Sequence, residues 1–266
     1  KNSLIFERKS RHESRKSIAV VLHIYYVELV PQVKKHLQNI PYKFDLLVST
    51  MSETQKIECE TLFQDTHNLG RVDVRVVPNI GRDVAPLLIT FKDAWSEYEY
   101  ICHIHTKRSP HTPWGDMWRA FIYEKLLGDP QIIRETLEYL ERDEECALLF
   151  PENFPAIKGH MHNKKNTPEI KRLLERVNYT KEKSYRGYDF AAGTMQWFKT
   201  KHFRELVALE FEHKEFKNSN SDLDGTLAHA LERFFSIYAQ KSGHRVLSYY
   251  SESRNRYLLS DSKYYS

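Results

Sequence analysis

The chain has 266 residues, of which 41% are hydrophobic and 29% are charged, enough for one large α/β domain or two small ones. Its formal net charge of +4 is too small to indicate a nucleic-acid-binding surface. Three widely spaced cysteines argue against a disulfide-stapled fold, and no apolar run approaches the ~20 residues of a membrane helix. We therefore expect a soluble cytoplasmic protein with no nucleic-acid partner.

The start of the chain is strongly basic. Residues 1–16 carry six Lys or Arg side chains, a density typical of a solvated linker or of a segment that touches an anionic membrane surface. We favour the linker, because charge runs in loops are usually solvated. The first residue is not methionine, which suggests a module excised from a larger polypeptide. The predicted units are a linker (1–16), a folded domain (17–247) and a C-terminal tail (248–266).

The first part of the chain alternates between strand and helix patterns. Short β-rich apolar runs predict strands, and segments with apolar residues three and four apart predict helices. Such alternation is typical of a parallel sheet with crossover helices, in which the strands are buried on both faces. The predicted elements are strand Ile18–Tyr25, helix Glu28–Asn39, strand Phe44–Val48, a helix from Ser52 to Phe63, strand Val72–Val77, helix Asp83–Trp95 and strand Tyr100–His105.

The second part of the chain contains a long polar excursion between two regular regions. This excursion, from Pro151 to Tyr188, holds one weak helical pattern at Ile170–Val177. The other predicted elements are helices Trp114–Leu127 and Asp129–Arg142, strand Ala147–Phe150, strand Phe190–Phe198 and helix Gly225–Tyr238. Ligands of such sheets bind beyond the carboxyl ends of the strands, so functional residues are expected in the loops that follow the strands.

The segment after the third predicted strand has the features of a phosphate site. Asn79, Gly81, Arg82 and Asp83 lie between a strand and a helix, where a glycine allows close backbone approach and an arginine can bind phosphate with two hydrogen bonds. The alternative is that Asn79 and Asp83 are turn and cap residues and that Arg82 is a surface charge.

The fourth predicted strand ends in histidines and cations. His103 and His105 share one face of a strand, and Lys107 and Arg108 follow. Two histidines without a third ligand more often satisfy hydrogen bonds than bind zinc, so we predict no metal ligand here.

Two later clusters complete the candidate residues. Gly193, Thr194 and Met195 lie in one apolar segment, and Asp222, Asp224 and His229 lie at the start of the last helix. The spacing alone favours an N-cap followed by an amphipathic helix for the second group.

Together these clusters resemble the rhamnan synthesis F family. The segments that carry the resemblance are, in order, AVVLHIYYVEL, FDLLVST, VVPNIGRDVAPLL, YICHIHTKRSPH, GTMQWFK and DGTLAHALER. The resemblance covers roughly residues 17–238 and implies a glycosyltransferase of bacterial surface-polysaccharide synthesis, often one module of a larger protein. It implies an α/β fold, GT-A-like (Rossmann-like), with a mainly parallel central sheet flanked by helices in a single domain.

The resemblance also implies roles for individual residues. The Asp-x-Asp metal motif of GT-A enzymes is missing, so Arg82, Lys107 and Arg108 are expected to neutralise the leaving diphosphate, and a Mg²⁺ or Mn²⁺ cofactor is not favoured. Asp224, with Asp222 as second choice, is expected to be the general base of an inverting transfer. The nucleotide-sugar site would comprise His23, Tyr25, Tyr26, Ser49, Thr50, Asn79, Gly81, Arg82, Asp83, His103, His105, Lys107 and Arg108, and the acceptor site Gly193, Thr194, Met195 and His229.

The expected partners follow from this role. The expected donor is a nucleotide-diphosphate sugar, with dTDP-L-rhamnose as first choice. The expected acceptor is a lipid-linked or free oligosaccharide at the inner face of the plasma membrane, and peripheral contact of the protein with that membrane is left open. An alternative is a non-catalytic glycan-binding or scaffolding module that keeps the fold without turnover. A metal-dependent hydrolase that uses the two histidines ranks last, because no further ligands appear at recognisable spacing.

Overall fold

A computed structural model describes residues 16–106, 108, 112–161, 164–179, 189–216, 224–253 and 256–261. The predictions for the basic linker (1–15), Lys107 and Asp222 therefore lie outside the described residues.

One mainly parallel sheet runs through the described part of the chain. Its eight strands lie in the order β3-β2-β1-β4-β6-β5-β7-β8. Strands β6 and β8 run antiparallel to their neighbours, and the other pairings are parallel. The strands are β1 (Ile18–His23), β2 (Phe44–Thr50), β3 (Leu69–Val76), β4 (Tyr100–His105), β5 (Cys146–Pro151), β6 (Gln196–Lys199), β7 (Arg245–Ser253) and β8 (Arg256–Asp261).

Helices flank this sheet and confirm the α/β fold class that the sequence predicts. They are α1 (Val30–Leu37), α2 (Glu53–Leu62), α3 (Ala94–Glu97), α4 (Gly115–Leu127), α5 (Pro130–Arg142), α6 (Thr167–Arg176), α7 (Arg204–Val207) and α8 (Leu227–Lys241). A π-helical turn covers Pro86–Thr90, and 3-10 turns cover Val27–Leu29, Pro155–His160, Lys164–Asn166, Thr200–Phe203 and His213–Phe216.

The sheet separates two hydrophobic cores. In β1, Ala19 and Val21 pack into one core, whereas Ile18, Val20 and Leu22 pack into the other. Successive strand residues point to opposite faces, so a strand buried on both faces must be apolar at every position. This explains the unbroken apolar run at the start of the domain.

The helix predicted over Asp83–Trp95 is wrong as a continuous element. The chain instead makes the π-helical turn, in which the N–H of Phe91 donates to the carbonyl of Pro86 at 3.0 Å, and α3 begins only at Ala94. Pro86 has no N–H, and its carbonyl is bonded by a residue five positions on, which widens the turn.

The strand predicted over Phe190–Phe198 is wrong in its first half. The chain turns at Ala191–Thr194, where the N–H of Thr194 donates to the carbonyl of Ala191 at 2.8 Å, and β6 begins at Gln196. Gly193 and Thr194 have φ values of 91° and 60°, a left-handed conformation that a strand cannot contain. We call this segment the Gly193 turn.

In the predicted C-terminal tail (248–266), residues 248–253 and Arg256–Asp261 belong to the sheet. They form part of β7 and all of β8. Tyr249 is buried, and its hydroxyl donates to the carbonyl of Lys125 in α4 at 2.9 Å. The sheet therefore extends past the predicted boundary at residue 247.

No helix in the described ranges is both long enough and apolar enough to cross a membrane.

Candidate functional site

The predicted clusters meet at the carboxyl edge of the sheet. Strand β1 is flanked by β2 on one side and β4 on the other, and His23 at the end of β1 pairs in register with His105 at the end of β4. This position, where successive connections leave to opposite sides, is the topological switch point at which open α/β sheets bind ligands.

Both histidines of β4 are fixed by carbonyl groups of the Gly193 turn. His103 Nδ1 lies 2.8 Å from the carbonyl oxygen of Thr194, and His105 Nε2 lies 2.7 Å from that of Gly193. A carbonyl oxygen can only accept, so each of these ring nitrogens carries a hydrogen. The histidines therefore position the turn through hydrogen bonds, as their pairing without a third ligand suggested.

Asp83 places a carboxylate against the same histidines. Its Oδ2 lies 3.9 Å from His105 Nε2 and 4.0 Å from His103 Nε2, and the residue is only 8% exposed. Burial raises the pKa of Asp83, but the neighbouring histidines outweigh this effect and lower the pKa to about 2. The site thus contains a buried, ionised carboxylate.

His23 and His103, two of the histidines near Asp83, remain neutral at neutral pH. Burial, which disfavours the charged imidazolium, lowers the pKa of His23 and of His103 to about 4 in each case. His23 Nδ1 also lies 2.9 Å from the hydroxyl of Ser49 at the end of β2. This contact joins the ends of the adjacent strands β1 and β2.

In the loop after β3, the backbone at Gly81 is approached closely, as the glycine predicted, but by side chains of the protein. Gly81 has a φ of 78°, and a Cβ there would lie 2.4 Å from the Cβ of Ala85 and 2.8 Å from the ring of Phe216. The space beside Gly81 is therefore filled by the protein itself, and the residue is required by the fold.

Arg82 faces the start of α8. It also has a left-handed backbone, with φ of 56°. The pKa of His229 is lowered, first by burial and next by the positive charge of Arg82. The loop after β3 and the start of the last helix, far apart in sequence, thus lie close together in the fold.

Asp224 lies just before α8 but does not cap it. The N-cap is Thr226, whose hydroxyl lies 2.8 Å from His229 Nδ1. Asp224 Oδ1 accepts a hydrogen bond from Asn166 Nδ2 at 2.8 Å and lies 3.7 Å from Arg233 Nη2, and its side chain is 30% exposed. A helix-cap role for Asp224 is therefore wrong, and its carboxylate is available at the surface.

Glu232 and Arg233 connect α8 to the rest of the site. The N–H of Gly193 donates to Glu232 Oε1, and Arg233 Nη1 donates to Glu232 Oε2 at 3.0 Å. Arg233 is 6% exposed and lies over the ring of Phe190, 4.7 Å from its centroid. The site residues predicted from the sequence do not include Glu232, Arg233 or Asn166. Glu232 and Arg233 lie in the segment DGTLAHALER, which carries part of the resemblance.

The residues at the end of β1 are held by a threonine that the prediction missed. Thr106 Oγ1 accepts hydrogen bonds at 2.9 Å from the backbone N–H groups of both Tyr25 and Tyr26. The side chain of Tyr25 is 46% exposed, while Thr50 is fully buried. A tyrosine ring at the switch point is thus accessible to a ligand.

Some candidate residues have other contacts. Arg108 Nη1 pairs with Glu28 Oε1 at 2.9 Å, and its guanidinium lies 5.4 Å from the ring centroid of Tyr26. Met195 is 1% exposed and belongs to the core, and Asn79 is exposed on the loop after β3. Gly193 and Thr194 are buried, so the Gly193 turn contributes mainly backbone contacts.

The described side chains around Asp83 offer few of the oxygen ligands that Mg²⁺ or Mn²⁺ prefer. These ions prefer several oxygen ligands, whereas Asp83 offers one carboxylate beside imidazoles, and His105 Nε2 already donates to a carbonyl. In the part of the chain that the structure describes, no group of three or more His, Cys, Asp or Glu side chains could hold a metal ion.

Comparison of the amino-acid sequence with known proteins identifies one family. The family described as rhamnan synthesis protein F matches residues 2–244. The uncharacterized protein WxcX of two strains of Xanthomonas campestris pv. campestris is 28% identical over 238 residues, which are 86% of this chain and 32% of WxcX. The chain therefore spans about a third of the length of these curated relatives. With its motifs gathered at one edge of a Rossmann-like sheet, the chain belongs to the rhamnan synthesis protein F family.

Proposed function

We propose that this domain is a glycosyltransferase of GT-A type that transfers a sugar from a nucleotide diphosphate to a growing bacterial surface polysaccharide. The observation that carries the proposal is the convergence of Asp83, His105, Gly193 and Asp224 with Arg82 at the switch point. Ligand binding at this position is general for open parallel sheets. The match to the rhamnan synthesis protein F family supports a role in polysaccharide assembly.

The donor would lie across the ends of β1 and β4. The exposed ring of Tyr25 can stack on a nucleotide base, and Arg82 can bind the diphosphate. Lys107 and Arg108 would add charge from the loop after β4, once Arg108 leaves Glu28. Cationic side chains that have been brought to the diphosphate can stabilise it as a leaving group without a metal ion, because they neutralise the charge that develops on it.

The acceptor would approach Asp224. In the proposed step the acceptor hydroxyl oxygen forms a bond to the anomeric carbon, and its proton passes to the Asp224 carboxylate. The bond from the anomeric carbon to the diphosphate oxygen breaks, and its electron pair leaves with the diphosphate. Asn166 donates a hydrogen bond to Asp224 Oδ1 and Arg233 lies 3.7 Å from it, so both residues hold this carboxylate in place. Direct displacement inverts the anomeric configuration.

The acceptor would lie between Asp224 on one side and Gly193, Thr194 and His229 on the other. We propose dTDP-L-rhamnose as the donor, from the family's role in rhamnan synthesis. Because the chain spans a third of WxcX, we also propose that further modules flank this domain in the whole protein. A lipid-linked acceptor would place the domain at the inner face of the plasma membrane.

Thermal unfolding with a panel of nucleotide sugars tests the donor site. We expect a dTDP-sugar to raise the melting temperature more than UDP, GDP or CMP sugars do, equally with EDTA and with added Mg²⁺ or Mn²⁺. A turnover assay with the stabilising donor and a rhamnose oligosaccharide then separates an enzyme from a non-catalytic glycan-binding module. Stabilisation that requires a divalent ion would contradict the role of the cations, and donor binding without turnover would favour the module.

A further inference from the structure

Four aromatic side chains form a connected surface beside the proposed acceptor position. The ring centroids of Trp114 and Trp118 are 5.7 Å apart, those of Trp114 and Phe154 are 5.9 Å apart, and those of Phe121 and Phe154 are 5.4 Å apart. Each of these residues is only partly buried. We call the four the aromatic platform. Trp118 and Phe121 also pack against one of the two hydrophobic cores, and this contact fixes the platform to the domain.

The platform lies at the same edge of the sheet as the candidate site. Trp114 precedes α4, which follows the carboxyl end of β4, and Phe154 follows the carboxyl end of β5. A small cavity is lined by Trp118 and Phe154 of the platform and by Ala192 of the Gly193 turn. The N–H of Ala192 donates to Asn153 Oδ1 at 3.0 Å, next to Phe154. The platform is therefore attached to the turn that holds His105 and Glu232.

Charged pairs lie next to the platform in the chain. Asp116 pairs with Arg119 at 2.7 Å, and Glu152 pairs with Lys158 at 4.0 Å. Flat apolar faces bordered by hydrogen-bonding groups match a pyranose ring, which has an apolar C–H face and hydroxyl groups around its edge. The electron-rich face of an aromatic ring attracts the weakly positive C–H groups.

We propose that the aromatic platform binds a sugar ring of the acceptor glycan by stacking. This inference rests on the proposed function, since it adds a glycan subsite to the acceptor side of that site. A glycan fits better than a membrane, because the ion pairs Asp116–Arg119 and Glu152–Lys158 each carry no net charge that would attract anionic lipid headgroups. Met117, which is 60% exposed beside the platform, extends the apolar surface along the glycan.

The test measures binding of a synthetic L-rhamnose trisaccharide, without donor, by saturation-transfer NMR and calorimetry. We expect Trp114→Leu and Phe154→Leu to weaken binding at least tenfold and Trp114→Phe, which keeps a flat ring, to retain most of it. Tyr42→Leu is the matched control, because Tyr42 is a partly buried aromatic residue that precedes β2 at the opposite edge of the sheet. The melting temperature of each variant shows that it is folded.

Three results would overturn the proposal. They are unchanged trisaccharide affinity in both leucine variants, no binding by the unmodified protein at about 10 mM trisaccharide, and binding to phosphatidylglycerol vesicles that Trp114→Leu abolishes. The rise in melting temperature that nucleotide sugars cause in the same variants distinguishes this inference from the proposed function. If the unmodified protein binds trisaccharide through Trp114 but no nucleotide sugar, the platform is correct and the glycosyltransferase role is wrong.

Discussion

Asp224 combines the features that a general base for sugar transfer needs. Its Oδ1 is held by Asn166 and approached by Arg233, and its side chain is 30% exposed. We expect Asp224→Asn to keep the fold and the donor affinity but to lower turnover by about 10²–10⁴-fold, because an amide cannot accept the acceptor proton. Steady-state kinetics with purified protein measures this change.

The control for Asp224→Asn is Asp93→Asn. Asp93 is an exposed carboxylate outside the site, and its Oδ2 lies 3.4 Å from Arg75 Nη2. This variant should turn over as fast as the unmodified protein. Near-normal turnover in Asp224→Asn, or a product that retains the donor's anomeric configuration, would remove Asp224 from the base role.

Arg82 provides the second test at the level of single residues. It lies in the loop after β3 and its charge reaches His229. We expect Arg82→Ala to weaken nucleotide-diphosphate binding by about 1.5–3 kcal/mol, the usual value of a hydrogen bond to a charged group. Calorimetry with dTDP measures it, and Arg134→Ala on the helix α5 is the control. Equal dTDP affinity in both variants would exclude a diphosphate contact at Arg82.

The sequence indicated which residues come close together in the fold better than it indicated what they contact. The strand period correctly placed His103 and His105 on one face, and the motif order pointed to Asp83 and Asp224. Their partners are carbonyls of Gly193 and Thr194, and such long-range backbone contacts leave no mark in residue identity. Glu232 was missed for the same reason, since its partner is a backbone N–H.

At the level of elements, the site is built from turns in left-handed conformation. Gly81, Arg82, Gly193, Thr194 and Gly225 all have positive φ. Non-glycine residues pay for this conformation, so their presence indicates that surrounding contacts fix the backbone. Strands such as β1 were predictable because burial on both faces makes them apolar throughout. The Gly193 turn was not predictable, because a single glycine within an apolar run is also compatible with a strand.

Replacing Gly81 by alanine tests how tightly the loop after β3 is packed. Gly81→Ala and Gly243→Ala both force a side chain into a left-handed backbone, with φ of 78° and 85°. Only Gly81→Ala also places a Cβ 2.4 Å from Ala85, whereas Gly243 has nothing within 4 Å. We expect both variants to lose about 1–2 kcal/mol of stability from backbone strain, and Gly81→Ala to lose about 1–3 kcal/mol more from crowding.

Chemical denaturation of both glycine variants measures this difference. Donor affinity should also fall in Gly81→Ala, because the crowding displaces Arg82, and should stay constant in Gly243→Ala. Equal stabilities of the two variants would mean that the loop can move away from Ala85 and Phe216 without cost.

For the whole molecule, one sheet orders residues that are distant in the chain. The loop after β3, the end of β4, the Gly193 turn and the start of α8 come from four separate regions, and the parallel strand order brings them to one edge. The alternation of strands and helices predicted this edge in general. It could not predict that β6 inserts antiparallel between β4 and β5, which is what delivers the Gly193 turn to His103 and His105.

The buried histidines of this edge predict that the whole domain loses stability in mild acid. The pKa of both His23 and His103 falls from 6.5 to about 4 on folding, chiefly through burial. Between these values the unfolded chain binds more protons than the folded protein, so a falling pH favours unfolding. The stabilisation that each neutral histidine contributes to the folded state is therefore fully present above pH 6.5. It is lost progressively as the pH falls towards 4, by at most about 3 kcal/mol for each histidine.

Urea unfolding at a series of pH values between about 7.5 and 4 measures this loss as a falling free energy of unfolding. His23→Gln and His103→Gln should each flatten the pH dependence, whatever their effect on stability at neutral pH, because glutamine does not titrate. His67→Gln is the control, since His67 is exposed and outside the site, and it should leave the slope unchanged. A free energy of unfolding that stays constant from neutral pH to pH 4, or that rises as the pH falls, would show that these histidines are protonated in the folded protein and would require an ion pair with Asp83 instead.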